Sequence, residues 1–261
     1  MMEAVRQGLR LCGSSVIPAL FPYMVMVNFL VGTGILQRFP AAAQAFLLGA
    51  LGGYPMGART AAALYTSGAV SREEARRLTL FCNNASPAFC LFFLGQTVFH
   101  STRAGLLLYF AQLLGSGAVG LMVRRTSAVP SPPRLPGKKA PLASLLVQSI
   151  RESALTMVSI CGFVVFFQVI LLLFSRYFGL TSPFVLGLIE LTNGTSLLDG
   201  TSRAALVGAG FLVSFGGLCT AAQTAAILGE AGVSCRGYLR WKLVAGVLTA
   251  ILTGLGCEWA I

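Results

Sequence analysis

The sequence predicts an all-α, polytopic transmembrane protein with two structurally similar halves. The chain has 261 residues, of which 56% are hydrophobic and only 10% are charged, whereas a soluble domain usually carries roughly 25% charged residues. A soluble fold of this length could not bury so much apolar surface. At about 20 residues per crossing, the chain has room for roughly eight apolar segments. We therefore expect a multi-pass protein of the cell membrane.

The basic residues favour a lipid bilayer over a nucleic acid as the partner. The net charge is +11, from 19 Lys and Arg against 8 Asp and Glu. These basic residues lie between the apolar runs, where flanking charge orients helices and contacts anionic headgroups. They occur at Arg6 and Arg10, at Arg72, Arg76 and Arg77, from Arg124 to Lys139 and from Arg236 to Lys242.

Residues that would support catalysis or metal binding are scarce. The chain has seven cysteines but no CxxC pair, and its one histidine is His100, so a zinc site is not expected. No Ser/His or Cys/His set and no nucleotide-binding loop is visible. We therefore expect no enzyme, no metal and no cofactor.

Eight apolar segments can be placed along the chain. The first contains Pro18 and Pro22, which predict a kink. Ser71 and Glu74 have the spacing of a capping box, which predicts a helix start before the third segment. The segments run over about 9–36, 41–65, 78–99, 104–123, 145–174, 183–198, 204–228 and 238–261.

The order of these segments divides the chain into two membrane repeats, 1–123 and 144–261, joined by the linker 124–143. The linker is rich in proline and basic residues, and it predicts an extended segment on a membrane surface. Gly53 and Asn193, which lie in corresponding segments, are 140 positions apart. If all eight segments cross, the repeats are parallel, and the distribution of basic residues favours this arrangement. If one broken segment per half is re-entrant, the repeats are inverted, as in many transporters.

Four segments are interrupted by residues that break helices. The breaks lie at Gly52–Gly57, Cys82–Pro87, Glu190–Thr195 and Ser214–Gly217. Unpaired backbone in hydrocarbon is tolerated only where it faces protein or a wet cavity, so matched breaks predict a shared binding cavity. The candidate substrate-binding residues are Gly53, Tyr54, Pro55, Arg59, Asn83, Asn84, Ser86, Glu190, Asn193, Ser214, Gly216 and Gln223.

Several of these residues have a second interpretation. Asn83 and Asn84 would line the cavity or bridge neighbouring helices. Glu190 would couple ions, hold a half-helix N-terminus or extend to a surface. Arg59 would bind a substrate carboxylate, pair with Glu190 or extend to a surface. Tyr54 would stack on a substrate or anchor at an interface.

The break at 214–217 also has two interpretations. Ser214 and Gly216, followed by Gln223, would form a second hairpin tip. Alternatively, the small residues would form a face for close helix packing.

At these motifs the chain resembles the YlbJ-type sporulation integral membrane proteins, within the nucleoside-recognition (Gate) domain superfamily. The core pattern is GYPxGA, then SxEEAxRL, then NNxSP, all within residues 52–89. Looser matches lie at residues 8–35, 149–167 and 190–228, so that the resemblance covers well over half of the chain.

The resemblance implies a fold similar to that of the concentrative nucleoside transporters. It also implies a sporulation protein of the outer forespore membrane that moves dipicolinic acid, a small flat aromatic dianion. The first alternative is a transporter of nucleosides or related heterocycles. The second is a non-transporting scaffold for sporulation. A homo-oligomer or a complex with other sporulation membrane proteins is compatible with each.

Overall fold

The structure is a computed structural model, and it describes residues 1–34, 39–123, 141–179 and 181–260. It is 83% helical, and the described residues contain no strand. The predicted all-α fold class is therefore confirmed.

Twelve α-helices and two π-helices form the described part of the chain. They are α1 (Met2–Leu11), π1 (Cys12–Val16), α2 (Ile17–Gly32), α3 (Ala41–Gly52), α4 (Met56–Thr66), α5 (Arg72–Cys82), π2 (Ala88–Val98), α6 (Thr102–Met122), α7 (Leu142–Phe178), α8 (Pro183–Ile189), α9 (Leu191–Ser196), α10 (Arg203–Phe215), α11 (Gly217–Glu230) and α12 (Tyr238–Ala260).

Four helical stretches of the described residues are long and apolar enough to cross a membrane: α6, α7, α10 with α11, and α12. A fifth span is formed if Met2–Val16 and Leu20–Leu30 count together, and these two parts meet at 56°. Pro22 lies inside α2 and π1 precedes it. Both features bend helices, so the predicted kink is confirmed.

Two of the broken segments fold back on themselves as hairpins. In α8–α9, a Cβ added to Gly194 would overlap the backbone of Gly187. In α3–α4, a Cβ added to Gly49 would lie 3.2 Å from Gly57 Cα. Helices approach this closely only where glycine replaces a side chain.

The other two breaks interrupt segments that do not fold back. Helix α5 is followed by π2, and α10 is followed by α11, with little packing between the members of either pair. Gly216 and Gly217 join α10 to α11 with φ of +85° and +81°. The sequence allows a hairpin tip at this break, but the structure shows an interrupted helix there instead. Each half thus orders its elements as bent or long helix, hairpin, broken helix and long helix. Whether the two repeats are parallel or inverted stays a prediction.

Most of the predicted linker, 124–140, lies outside the described residues. Helix α7 begins at Leu142 after Pro141, two residues before the predicted start of the second repeat at 144. Much of α7 exposes apolar side chains, as expected of a helix that faces lipid.

Polar caps determine where the loops end. The Ser71 hydroxyl accepts a hydrogen bond from the Glu74 N–H at 3.1 Å, so the predicted helix start is confirmed. In the loop before α10, the Asp199 carboxylate accepts hydrogen bonds from the N–H and the hydroxyl of Thr201, at 3.0 and 2.8 Å. These bonds hold the pKa of Asp199 below its ordinary value.

The core forms where α12 packs between α6 and α10. Small residues allow the close approach: a Cβ added to Gly115 would lie 2.6 Å from the hydroxyl oxygen of Thr249. Two apolar clusters extend from this contact, one toward π2 and one toward the α3–α4 hairpin and α5. The breaks are therefore packed against this core.

Candidate functional site

Three of the four breaks meet at one cavity, which we call the central cavity. Its volume is about 70 Å³, enough for a few water molecules. The fourth break lies behind Tyr54, since a Cβ added to Gly216 would lie 2.9 Å from the Tyr54 hydroxyl oxygen. The lining residues are Leu20, Met24, Gly52, Gly53, Tyr54, Ala85, Ser86, Phe89, Ile160, Val164, Glu190, Leu191, Thr192, Cys219, Thr220 and Gln223.

Glu190 lies in the wall of the central cavity and caps a half-helix. Its side chain accepts hydrogen bonds from the N–H groups of Thr192 and Asn193, at 3.0 and 2.6 Å. Only 3% of the residue is exposed, so it does not extend to a surface. The carboxylate thus satisfies the first N–H groups of α9 and offsets their partial positive charge. Asn193 donates its side-chain amide to the Val164 carbonyl at 3.4 Å.

Tyr54 connects the first hairpin to the second half of the chain. Its hydroxyl lies 3.0 Å from the Val213 carbonyl and 3.2 Å from the Ser214 carbonyl. These carbonyls belong to the end of α10, where no helical N–H reaches them. Tyr54 therefore lies inside the bundle, on the wall of the cavity, and not at an interface.

The adjacent Asn83 and Asn84 are fully buried and do not line the central cavity. The Asn83 amide donates to the hydroxyls of Thr224 and Tyr238 at 2.8 and 2.9 Å. The Asn84 side-chain oxygen accepts a hydrogen bond from the Ser116 hydroxyl at 2.6 Å. This geometry favours the interpretation as bridges between helices.

Ser86, Gln223 and Gly53 do line the central cavity. The Ser86 hydroxyl accepts from the Phe89 N–H at 3.2 Å. The Gln223 amide lies 3.4 Å from the Cys219 sulfur. Gly53 has φ of +77°, and an added Cβ would lie 2.8 Å from the Ser86 Cβ. The two breaks therefore touch at this point, and only glycine fits.

Pro55 and Ser214 stand next to the cavity lining. Pro55 precedes α4, and the Tyr54–Pro55 peptide is cis. The Ser214 hydroxyl is buried and has no hydrogen-bond partner among the described residues.

Arg59 faces a second cavity of about 400 Å³, which we call the lateral cavity. Its guanidinium donates to the Thr156 hydroxyl at 3.0 Å. Glu190 lines the central cavity and not this one, so the structure does not bring Arg59 and Glu190 together. The α3–α4 hairpin borders both cavities. The lateral cavity is lined by Asn28, Gly32, Gln44, Leu48, Met56, Arg59, Thr60, Ala63, Leu64, Leu145, Gln148, Ser149 and Glu152.

Lys242 is a buried basic residue that the motifs of the sequence do not single out. Its side chain is 0% exposed, and its Nζ donates to the Asn83 carbonyl at 2.8 Å. The same Nζ lies 5.2 Å from the centroid of the Tyr54 ring. In the sequence, Lys242 stands at the end of the flanking charges that begin at Arg236. Lys242 has helical spacing from Tyr238, Ala245 and Thr249, which are all buried. This spacing is the signal that places Lys242 on the buried face of α12.

Together, the apolar spans and the buried breaks define a polytopic, all-helical integral membrane protein. The chain is similar to the sporulation integral membrane protein YlbJ of Bacillus subtilis (strain 168). The two are 27% identical over an alignment of 313 residues that covers 97% of this chain and 76% of the relative. The resemblance to YlbJ-type membrane proteins and the multi-pass membrane location are thereby confirmed.

No family model matches the chain, and no solved structure matches it. The nucleoside-recognition superfamily and the outer forespore membrane therefore stay predictions.

Proposed function

We propose that this protein transports a small organic anion across a membrane, with dipicolinate as the first candidate. The observation that carries the proposal is the meeting of three helix breaks at the central cavity. Irregular backbone within a membrane occurs where it is buried in protein or lines a wet cavity. Paired broken helices around one site are typical of secondary transporters. Sporulation as the setting comes from the name of the similar protein.

Two basic side chains support a negatively charged substrate. Arg59 faces the lateral cavity, and a guanidinium can bind a carboxylate through two parallel hydrogen bonds. Lys242 lies behind the Tyr54 ring, which itself faces the central cavity. Glu190 has the opposite charge and already caps α9. We therefore expect the substrate carboxylates on the side of the α3–α4 hairpin.

The two cavities fit different stages of a transport cycle. Small-molecule pockets usually measure about 300–1,000 Å³, so the lateral cavity is large enough and the central cavity is not. Leu48 and Met56 of the first hairpin face the lateral cavity, while Gly52 and Tyr54 face the central one. We propose that the substrate binds first in the lateral cavity. Movement of the hairpin then opens the central cavity to it. This cycle contains no chemical step, so the chain acts as a transporter and not as an enzyme.

A nucleoside or another uncharged heterocycle is the second candidate substrate. It is favoured by the lining of the central cavity, where Ser86, Thr192 and Gln223 offer uncharged polar groups beside Phe89. Uncharged groups of this kind suit the hydrogen-bonding edge of a heterocycle. Transport of such a substrate should depend little on Arg59.

Uptake into proteoliposomes tests the proposal. The purified protein is reconstituted, and uptake of labelled dipicolinate is measured with and without unlabelled nucleosides. Gln223→Ala should reduce uptake, whereas Gln96→Ala, at an exposed position of π2, should not. Competition by nucleosides would move the second candidate ahead. Folded protein that takes up neither compound would contradict transport by this chain and favour a scaffold or a missing partner.

A further inference from the structure

The ammonium of Lys242 lies where a broken helix ends inside the protein. Helix α5 ends at Cys82, and Asn83 follows with φ −93° and ψ 92°, outside the helical region. The Asn83 carbonyl accepts the Lys242 hydrogen bond. The C-terminal end of a helix carries partial negative charge. A cation at this position is therefore stabilised by the break.

The other groups around Lys242 complete a site for a cation. The face of the Tyr54 ring lies 5.2 Å from the Nζ, and aromatic faces attract cations at this distance. The Asn83 side-chain oxygen is buried and has no hydrogen-bond partner among the described residues. Within the described ranges, the ion pairs involve other basic residues. The Asn83 carbonyl and the Tyr54 ring thus lie next to the ammonium, where a carboxylate would lie in an ion pair.

In transporters with broken helices, unwound carbonyls and half-helix C-terminal ends coordinate Na⁺ or H⁺. An ammonium is a compact point charge with three donors. We propose that the Lys242 ammonium is a built-in cation that fills such a position between α5 and Tyr54. Transport by this protein therefore needs no sodium ion there. The statement about transport rests on the proposed function, whereas the cation position can be tested without it.

Removal of the built-in cation should create a site for a free one. The experiment follows thermal unfolding of the purified full chain in detergent. Choline, potassium or sodium chloride is varied at constant ionic strength. The wild type should show the same melting temperature in all three salts. Lys242→Ala should melt several degrees lower in choline and should be restored, with saturation, as sodium or potassium rises.

Two variants control for other effects. Lys242→Arg keeps a positive charge at this position and should show no saturable response to the metal ions. Arg240→Ala removes an exposed charge two residues away on the same helix, and it should leave the melting temperature and its salt response unchanged.

Two results would overturn the inference. One is saturable stabilisation of the wild type by sodium ions, which needs no variant to be observed. The other is a folded Lys242→Ala protein whose melting temperature is the same in all three salts. Uptake of labelled dipicolinate in sodium-free buffer is measured separately. A chain that transports nothing can still show the predicted melting behaviour, so the two proposals fail independently.

Discussion

The two hairpins differ in which residues bind the backbone groups next to their breaks. Both place a break inside the protein, where N–H and C=O groups need partners. The α8–α9 hairpin supplies its own partner, because Glu190 caps the helix that follows it. The α3–α4 hairpin has no side-chain cap at the start of α4. Its contact with the second half is made by Tyr54, whose hydroxyl lies within hydrogen-bond distance of the carbonyls at the end of α10.

The same difference extends to the broken helix of the first half. The Asn83 carbonyl is bound by Lys242 of α12, and the Asn83 amide contacts Thr224 and Tyr238. The break after Cys82 is therefore held from both halves, since Ser116 and Gln112 of α6 bind Asn84 and the Ala85 backbone. The second hairpin is held from within. We infer that the breaks of the first half depend more on contacts between the halves than the second hairpin does.

The largest effect is expected where a glycine of each hairpin packs directly against other backbone. A Cβ at Gly194 would overlap the Gly187 backbone, and one at Gly57 would overlap the Cys82 carbonyl. Because backbone cannot yield as a side chain does, Gly194→Ala and Gly57→Ala should each abolish most folded protein. The yield of monodisperse protein after size-exclusion chromatography measures this. Gly162→Ala, in open space on α7, is the matched control, and normal yield from either hairpin variant would contradict the close packing.

The capping carboxylate should give the next largest effect. Glu190→Ala leaves two buried N–H groups without an acceptor, at a cost of about 1–3 kcal/mol each. Glu190→Gln keeps one acceptor oxygen and should lie between Ala and wild type in melting temperature. Glu258→Gln changes an exposed side chain and should have little effect. If both Glu190 variants melt like the wild type, Glu190 does not support the second hairpin.

A smaller loss is expected from the contact between the halves. Tyr54→Phe removes the hydrogen bond to the end of α10 and keeps the ring beside Lys242. It should cost about 1 kcal/mol of stability, measured by thermal unfolding. Tyr177→Phe, at an exposed position on α7, serves as the control. A loss larger than that of Glu190→Ala would reverse the comparison of the two hairpins.

The smallest effect on stability is expected at Gln223. Its one recorded hydrogen bond among the described residues is to the Cys219 sulfur, a weak acceptor. Gln223→Ala should therefore change the stability by less than about 0.5 kcal/mol while uptake of substrate falls. A melting temperature as low as that of Tyr54→Phe would show a structural role instead.

Much of the fold could be predicted from local sequence. Glycine, proline and asparagine change the backbone where they stand, so the four breaks and the capping residue Ser71 could be predicted directly, whereas Glu190 kept three interpretations. Span lengths followed from the apolar runs. Whether a break makes a hairpin or an interrupted helix depends on packing against other segments. The sequence around Gly216 therefore allows either interpretation of that break.

The partners of the site residues could not be predicted in the same way. Asn84 and Arg59 both stand near breaks, yet one bonds to Ser116 of α6 and the other faces the lateral cavity. Such pairings depend on which helices meet in three dimensions. Lys242 was missed because it follows several exposed basic residues. Its place on the buried stripe of α12 was visible only as helical spacing.

The most direct test of the central claim is protection of Cys219 by substrate. Cys219 lines the central cavity, whereas Cys235 lies outside it. In chains that keep only one of these two cysteines, the rate of alkylation by a small membrane-permeant reagent is measured with and without dipicolinate. The account predicts that dipicolinate slows the reaction of Cys219 and leaves that of Cys235 unchanged. Equal rates at Cys219 with and without dipicolinate, in protein that still takes it up, would contradict the assignment of the central cavity as the substrate site.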